Sequence, residues 1–117
     1  MPIWTQLAIH HARTQDRAIL SLFDDTRARA FSARLGAMLF DYSKTNIDAE
    51  ALGLLIKLAE SKGVAARREA MFTGVKINET EGRAVLHTAL RNLNSSVIVD
   101  GQDVMPEVRA THARMQA

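Results

Sequence analysis

Cysteine is absent from all 117 residues, which excludes disulfides, thiolate metal sites and thiol nucleophiles and suits a reducing compartment. Aromatic residues make up only 5% of the chain against 47% hydrophobic residues, so the core is expected to be aliphatic. No stretch approaches the ~20 apolar residues that a bilayer crossing needs. Met1 to Gln15 mixes polar with apolar residues and lacks the apolar run and small-residue cleavage site of a secretory leader. Together these absences predict a cytoplasmic protein with no membrane partner. The net charge is also small. Fifteen Lys and Arg against 13 Asp and Glu leave a formal +2, too little for the footprint of a phosphate backbone, so nucleic acid is not the expected partner. The length predicts one domain over residues 1–117, without repeats or low-complexity tracts.

Periodicity predicts a helix-dominated α+β chain with a short strand and a β-hairpin. Ile3, Trp4, Leu7 and Ala8 recur at helical spacing up to about Thr14, and Ala18, Ile19, Leu22 and Phe23 repeat the pattern. Thr26 is positioned to cap a third helix through Phe31 to Leu35, with Gly36 as its left-handed stop. Met38 to Tyr42 reads as a strand buried on both faces, with helix open as an alternative. Asp48 to Lys62 is a helix capped by Asp48 and stapled by Ile47 on Leu52. Its expected buried stripe is Leu52, Leu55, Ile56 and Ala59, widened by Leu54 and Leu58. Val64 to Phe72 follows, ended by Thr73-Gly74. Val97 to Val99 precedes Asp100-Gly101, a turn pair suited to positive φ at both positions, and Pro106 opens a last helix with Val108, His112 and Met115 on one face. Nothing after Met115 supplies a helix stop, so Ala117 reads as an engineered boundary or a proteolytic end.

Between these elements lies the most informative stretch, Ala70 to Asn92. A polar loop after Gly74 leads to a second helix opening near Glu81, capped either by Asn78 in a box with Glu81 or by Thr80. On that helix Val85, Leu86, Ala89 and Leu90 would share one face, and Arg83, His87 and Arg91 another. Such a row suits water, the carboxylates of a partner element or an anionic ligand. His10 and His11 are about 100° apart on a helix, cannot chelate one metal together, and are expected in solvent. Asp24-Asp25 reads as a solvated turn, Trp4 as a core or interface anchor. The spacing of Gly74, Gly82 and Gly101 is not that of a phosphate loop.

The chain resembles the phosphoglucose isomerases. The resemblance is carried by Asp41-Tyr42-Ser43-Lys44, Met71-Phe72 with Gly74, Lys76-Ile77-Asn78, Thr80-Glu81, Arg83 to His87, Ala89 to Asn92, Asp100-Gly101 and Asp103 to Val108, in the family's order. Val75 departs from the glutamate usual there. The resemblance implies the N-terminal segment of an enzyme several times longer, a three-layer αβα sandwich that interconverts glucose 6-phosphate and fructose 6-phosphate in glycolysis and gluconeogenesis. It further implies a sugar phosphate as partner of the full-length enzyme, a homo-oligomer, and no metal or organic cofactor.

Aldose–ketose isomerisation needs a base to carry a proton between adjacent carbons, an acid to open the ring, and cationic help for the enediolate. The family's groups for these steps do not map onto this sequence, so no catalytic residue is assigned. Glu81, Arg83 and His87 are candidates for supporting the active site, with a structural polar network as the competing reading. An interaction module of the small, basic, helical kind, binding nucleic acid or a protein, is the alternative from another functional class.

Overall fold

The computed structural model describes residues 1–117, which form two compact units, Met1–Lys62 and Gly63–Ala117. Five helices and two small antiparallel two-stranded sheets make up the mixed α+β architecture.

In the first unit, α1 (Ile3–Thr14) packs on α3 (Ala49–Ser61), and the Ala18–Phe23 pattern condenses into a single 3₁₀ turn over Ile19–Leu22. Asp48 caps α3 as its sequence position predicts, its side chain accepting from the Ala51 N–H at 2.9 Å. Gly63 takes the left-handed conformation just past the helix, φ 66°, where a Cβ is disfavoured. The face α3 buries is rotated from the expected stripe. Ala51 and Leu54 are buried with Leu52, Leu58 and Ala59 at their flanks, whereas Leu55 and Ile56 are exposed. The turn around Asp48 and Glu50 is tied to α1 through His10 and Arg13, and this presents Ala51 and Leu54 to α1.

The helix expected from Thr26 to Leu35 is replaced by one turn, α2 (Arg27–Ala30), and a strand, β1 (Ser32–Leu35). Thr26 makes no side-chain cap. The carboxylate of Asp24 instead accepts from the N–H groups of Thr26 and Arg27, both at 2.8 Å. β1 pairs antiparallel with β2 (Met38–Asp41), Leu35 opposite Met38, so that Gly36-Ala37 is a two-residue hairpin loop. Gly36 has φ 57°, the positive value a primed turn requires at its first position, so its left-handed geometry belongs to a hairpin and not to a helix stop. The Met38–Tyr42 strand forms, but all of β2 is exposed instead of buried on both faces, because its sheet has two strands and no layer on either side.

In the second unit, α4 (Val64–Phe72) ends at Thr73-Gly74 as expected. The core is Ala89, Val97 and Met105, joined by Leu86, Leu93, Val99, Val104 and Val108. The β3 (Ile98–Val99) and β4 (Gln102–Asp103) hairpin turns at Asp100-Gly101, with φ 51° and 80°. Left-handed geometry at both central positions explains the Asp-Gly pair. α5 (Met105–Gln116) carries Pro106 in its first turn, where a missing N–H costs nothing. Along it, Val108 and His112 are half-buried while Met115 is exposed.

Candidate functional site

The segment that carries the sequence candidates is a loop. In place of a helix from Glu81, Asn78 and Arg83 exchange both backbone hydrogen bonds, at 3.1 and 3.3 Å, across a four-residue turn, and helical geometry returns only in a 3₁₀ turn at Ala89–Arg91. The cause lies in the turn itself. Gly82 adopts φ 63°, which ends the pairing loop, and Val85, Thr88 and Asn92 are weak helix formers. The Asn78 side chain accepts from the Glu81 N–H at 3.3 Å and from the Thr80 hydroxyl at 2.8 Å, so the residues of the proposed capping box close a turn without starting a helix. Consequently Arg83, His87 and Arg91 do not form one helical row, and Leu86 and Ala89 reach the core from irregular backbone. Glu81, Arg83 and His87 are all exposed and form no ion pair with one another.

The densest polar cluster lies elsewhere, in the first unit. His10 is 5% exposed, so its expected place in solvent is corrected, while His11 is exposed. Its Nε2 stands 3.2 Å from Asp48 Oδ1 and its Nδ1 stands 3.4 Å from Glu50 Oε2. The Nε2 contact lacks the alignment of a hydrogen bond, leaving that nitrogen without a hydrogen-bond partner despite the short distance. Asp48 Oδ1 accepts from the Ala51 N–H instead. Arg13 bonds Glu50 at 2.7 Å, and Arg17 bonds Asp48 at 2.7 Å and the Asn46 side chain at 3.0 Å. Asn46 returns a bond to the Thr14 carbonyl at 2.9 Å. The two carboxylates meet opposite nitrogens of one ring, so they do not converge on a point as metal ligands would, and no group of three such side chains is placed to hold an ion. The cluster clamps α1 to the start of α3.

Asp48 is the hub of that clamp. Burial pushes its carboxyl up, but the Ala51 N–H, the Arg17 guanidinium and the neighbouring His10 outweigh burial and hold it below its unfolded value of 3.8. Asp103 is held low as well, first by the Met105 N–H at the start of α5, against opposing desolvation. A carboxylate lowered on folding stabilises fully above its unfolded value, and that contribution is lost as pH falls through the lower folded value. Acidification below about pH 4 is therefore expected to destabilise the chain, and Asp48→Asn to flatten part of that dependence in urea unfolding followed against pH. Asp48→Ala is expected to cost about 3 kcal/mol, because it removes a helix cap and takes from the half-buried Arg17 its only carboxylate, leaving it the Asn46 side chain and carbonyl.

Arg27, also buried, was likewise unassigned from sequence. At 4% exposure it donates from Nε to the Ser43 carbonyl at 3.0 Å, and from one Nη to the carbonyls of Thr45 at 3.0 Å and Ile47 at 2.7 Å. Its guanidinium lies 3.8 Å from the centre of the Phe31 ring. It fixes the Ser43–Ile47 connection that carries Asn46 to the clamp and Asp48 to its capping position. Trp4, expected as an anchor, is largely exposed within this chain.

The comparisons with known proteins bear on the same residues. The family model of phosphoglucose isomerase matches residues 41–117, about two thirds of the chain and all of the loop, hairpin and α5 region. The chain belongs to the phosphoglucose isomerase family. Among curated proteins it is 65% identical over 116 residues to a glucose-6-phosphate isomerase of Cereibacter sphaeroides, an alignment covering 98% of this chain and 22% of the relative. A glucose-6-phosphate isomerase of Roseobacter denitrificans is 58% identical over 118 residues, covering 99% of this chain and 22% of that protein. The Methylococcus capsulatus enzyme of the same name is 47% identical, again over 99% of this chain and 22% of its own length. The chain thus spans about a fifth of the phosphoglucose isomerases it matches. Its Asp41-Tyr42-Ser43-Lys44 block falls on the connection that Arg27 holds, which gives part of the family signature a structural role. No helix is long and apolar enough to cross a membrane.

Proposed function

We propose that this chain is the opening segment of an aldose–ketose isomerase that interconverts glucose 6-phosphate and fructose 6-phosphate in cytoplasmic glycolysis and gluconeogenesis, and that it contributes scaffold without a first catalytic group. The observation that carries this reading is the 65% identity to a glucose-6-phosphate isomerase across 98% of the chain. Proton transfer between two sugar carbons needs a base and an acid held against the substrate. The carboxylates and histidine most tightly gathered here, Asp48, Glu50 and His10, are engaged with Arg13, Arg17 and one another. They support a helix pair instead of facing a cradle for phosphate.

The whole enzyme, on this reading, works as a homodimer without metal or organic cofactor. Glu81, Arg83 and His87 stand free of ion pairs on an exposed loop, available to groups beyond the length of this chain. Supporting the active site is their proposed role. The 117-residue chain is expected to show no turnover of fructose 6-phosphate in an assay coupled to glucose-6-phosphate oxidation, and turnover above blank would refute the scaffold reading. In the full-length enzyme Arg83→Ala is expected to lower kcat about tenfold or more while shifting Tm only slightly, since an exposed side chain carries little stability. A thermal defect with unchanged kcat would remove Arg83 from any supporting role.

A further inference from the structure

The β1–β2 hairpin has two chemically different faces. Residues opposite each other in an antiparallel pair point the same way, so the register places Phe31, Ala33 and Leu35 on one side with Met38, Phe40 and Tyr42. Half of the chain's six aromatic residues stand on that face, which singles it out in a sequence so poor in them. The other face carries Ser32, Arg34 and Asp41 with Leu39. At the root, Phe31 meets Tyr42 edge-on with centroids 5.8 Å apart, and Tyr42 meets Phe40 at 5.4 Å. Toward the tip the cover ends: Leu35 is 74% exposed, Met38 66% and Phe40 68%. A two-stranded hairpin is marginal in water unless its apolar face is packed.

We propose that this apolar face is a docking surface for the part of the isomerase polypeptide beyond the length this chain spans, an inference that rests on the functional reading above. The relatives place roughly four fifths of their length outside the aligned region, which supplies the occupant. A second copy of the 117-residue chain fits less well. Three side chains of roughly 150–200 Å² each, about two-thirds open, offer on the order of 300–400 Å². That is at most half of the ~800 Å² per partner typical of a stable interface between separate proteins. A covalently continuous partner needs no such area, because tethering replaces the affinity a free partner would require. The polar face, with Arg34 and Asp41, stays in water.

The test is methionine oxidation by peroxide, read by mass spectrometry, in the 117-residue chain and in a full-length chain that joins these residues to the remainder of the Cereibacter sphaeroides enzyme. Met105, fully buried, and Met1, largely exposed, are internal references. Met38 is expected to oxidise readily in the short chain and at least about tenfold more slowly in the long one. Equal oxidation of Met38 in both, with Met105 protected, overturns the docking surface, and isomerase turnover by that same long chain would leave the functional reading standing. Protection of Met38 without turnover keeps the surface and removes the functional reading. Protection in the short chain alone, together with a dimer mass in sedimentation, would make a second copy the occupant and overturn the proposal. An independent measurement needs no long chain. The double variant Leu35→Asp with Phe40→Asp is expected to keep the helical signal of the 117-residue chain and to lose hydrophobic-dye binding several-fold. Unfolding of that variant, or unchanged dye binding, would show that the face is not open.

Discussion

Arg27→Ala is expected to be the most destabilising substitution of the first unit, at about 3–4 kcal/mol, read by chemical denaturation. The guanidinium has no carboxylate partner among its contacts, so its contribution comes from three backbone carbonyls and the Phe31 ring. Truncation leaves the carbonyls of Ser43, Thr45 and Ile47 without their donor and opens a void against Phe31, and each stranded acceptor costs about 1–3 kcal/mol where water cannot reach it. For a unit of this size the loss corresponds to a Tm lower by roughly 12–32 °C. Arg27→Lys is expected to recover little, because a single ammonium cannot span three carbonyls or stack flat on a ring. Hydrogen exchange should accelerate first around Tyr42 to Ile47, and a substitution that left exchange there unchanged would contradict the assigned role.

Gly74→Ala is the second large effect, about 2–4 kcal/mol, and it acts on the other unit. Gly74 is buried with φ 84°, and a Cβ there would come within 2.6 Å of the Ile98 carbonyl oxygen and 3.0 Å of Val97 Cγ1. The first obstacle is backbone of the β3–β4 hairpin, which cannot swing aside as a side-chain end can, and Val97 belongs to the core. Gly101→Ala separates the two causes. Its φ of 80° is similar, but nothing lies within 4 Å of the added Cβ, so only conformational strain of about 1–2 kcal/mol is expected. Equal losses at the two positions would mean that crowding at Gly74 is absent.

What could be read from the sequence divides along physical lines. Elements set by local chemistry were legible: the Asp48 cap, the left-handed Gly63 exit of α3, the Asp100-Gly101 turn and Pro106 in the first turn of α5. Each depends on a few adjacent residues. The structure departs from the helical expectation where two periods compete. Phe31-Ser32-Ala33-Arg34-Leu35 alternates apolar and polar residues with period 2 and is followed by a two-residue loop, yet its position after Thr26 also fitted a helix. From Glu81 to Arg91 the helical spacing is real, but Gly82 and the Asn78–Arg83 pairing make a turn instead, and periodicity carries no information on nucleation.

Contacts distant in sequence were not legible. His10 falls on the stripe of Ile3, Leu7 and Thr14, a signal that places it on the packed side of α1, but its carboxylate partners lie about forty residues on. Arg27 likewise has all its acceptors beyond the intervening hairpin. The family signature, spread over several blocks, was legible throughout, because it does not depend on assigning the backbone.

The most direct test of the scaffold account is isomerase turnover measured side by side for the 117-residue chain and for the same residues joined to the remainder of the Cereibacter sphaeroides enzyme. Turnover within about tenfold of that enzyme in the joined chain, and none from the short chain, is the predicted result. Turnover by the short chain alone, or a folded joined chain without activity, would contradict it.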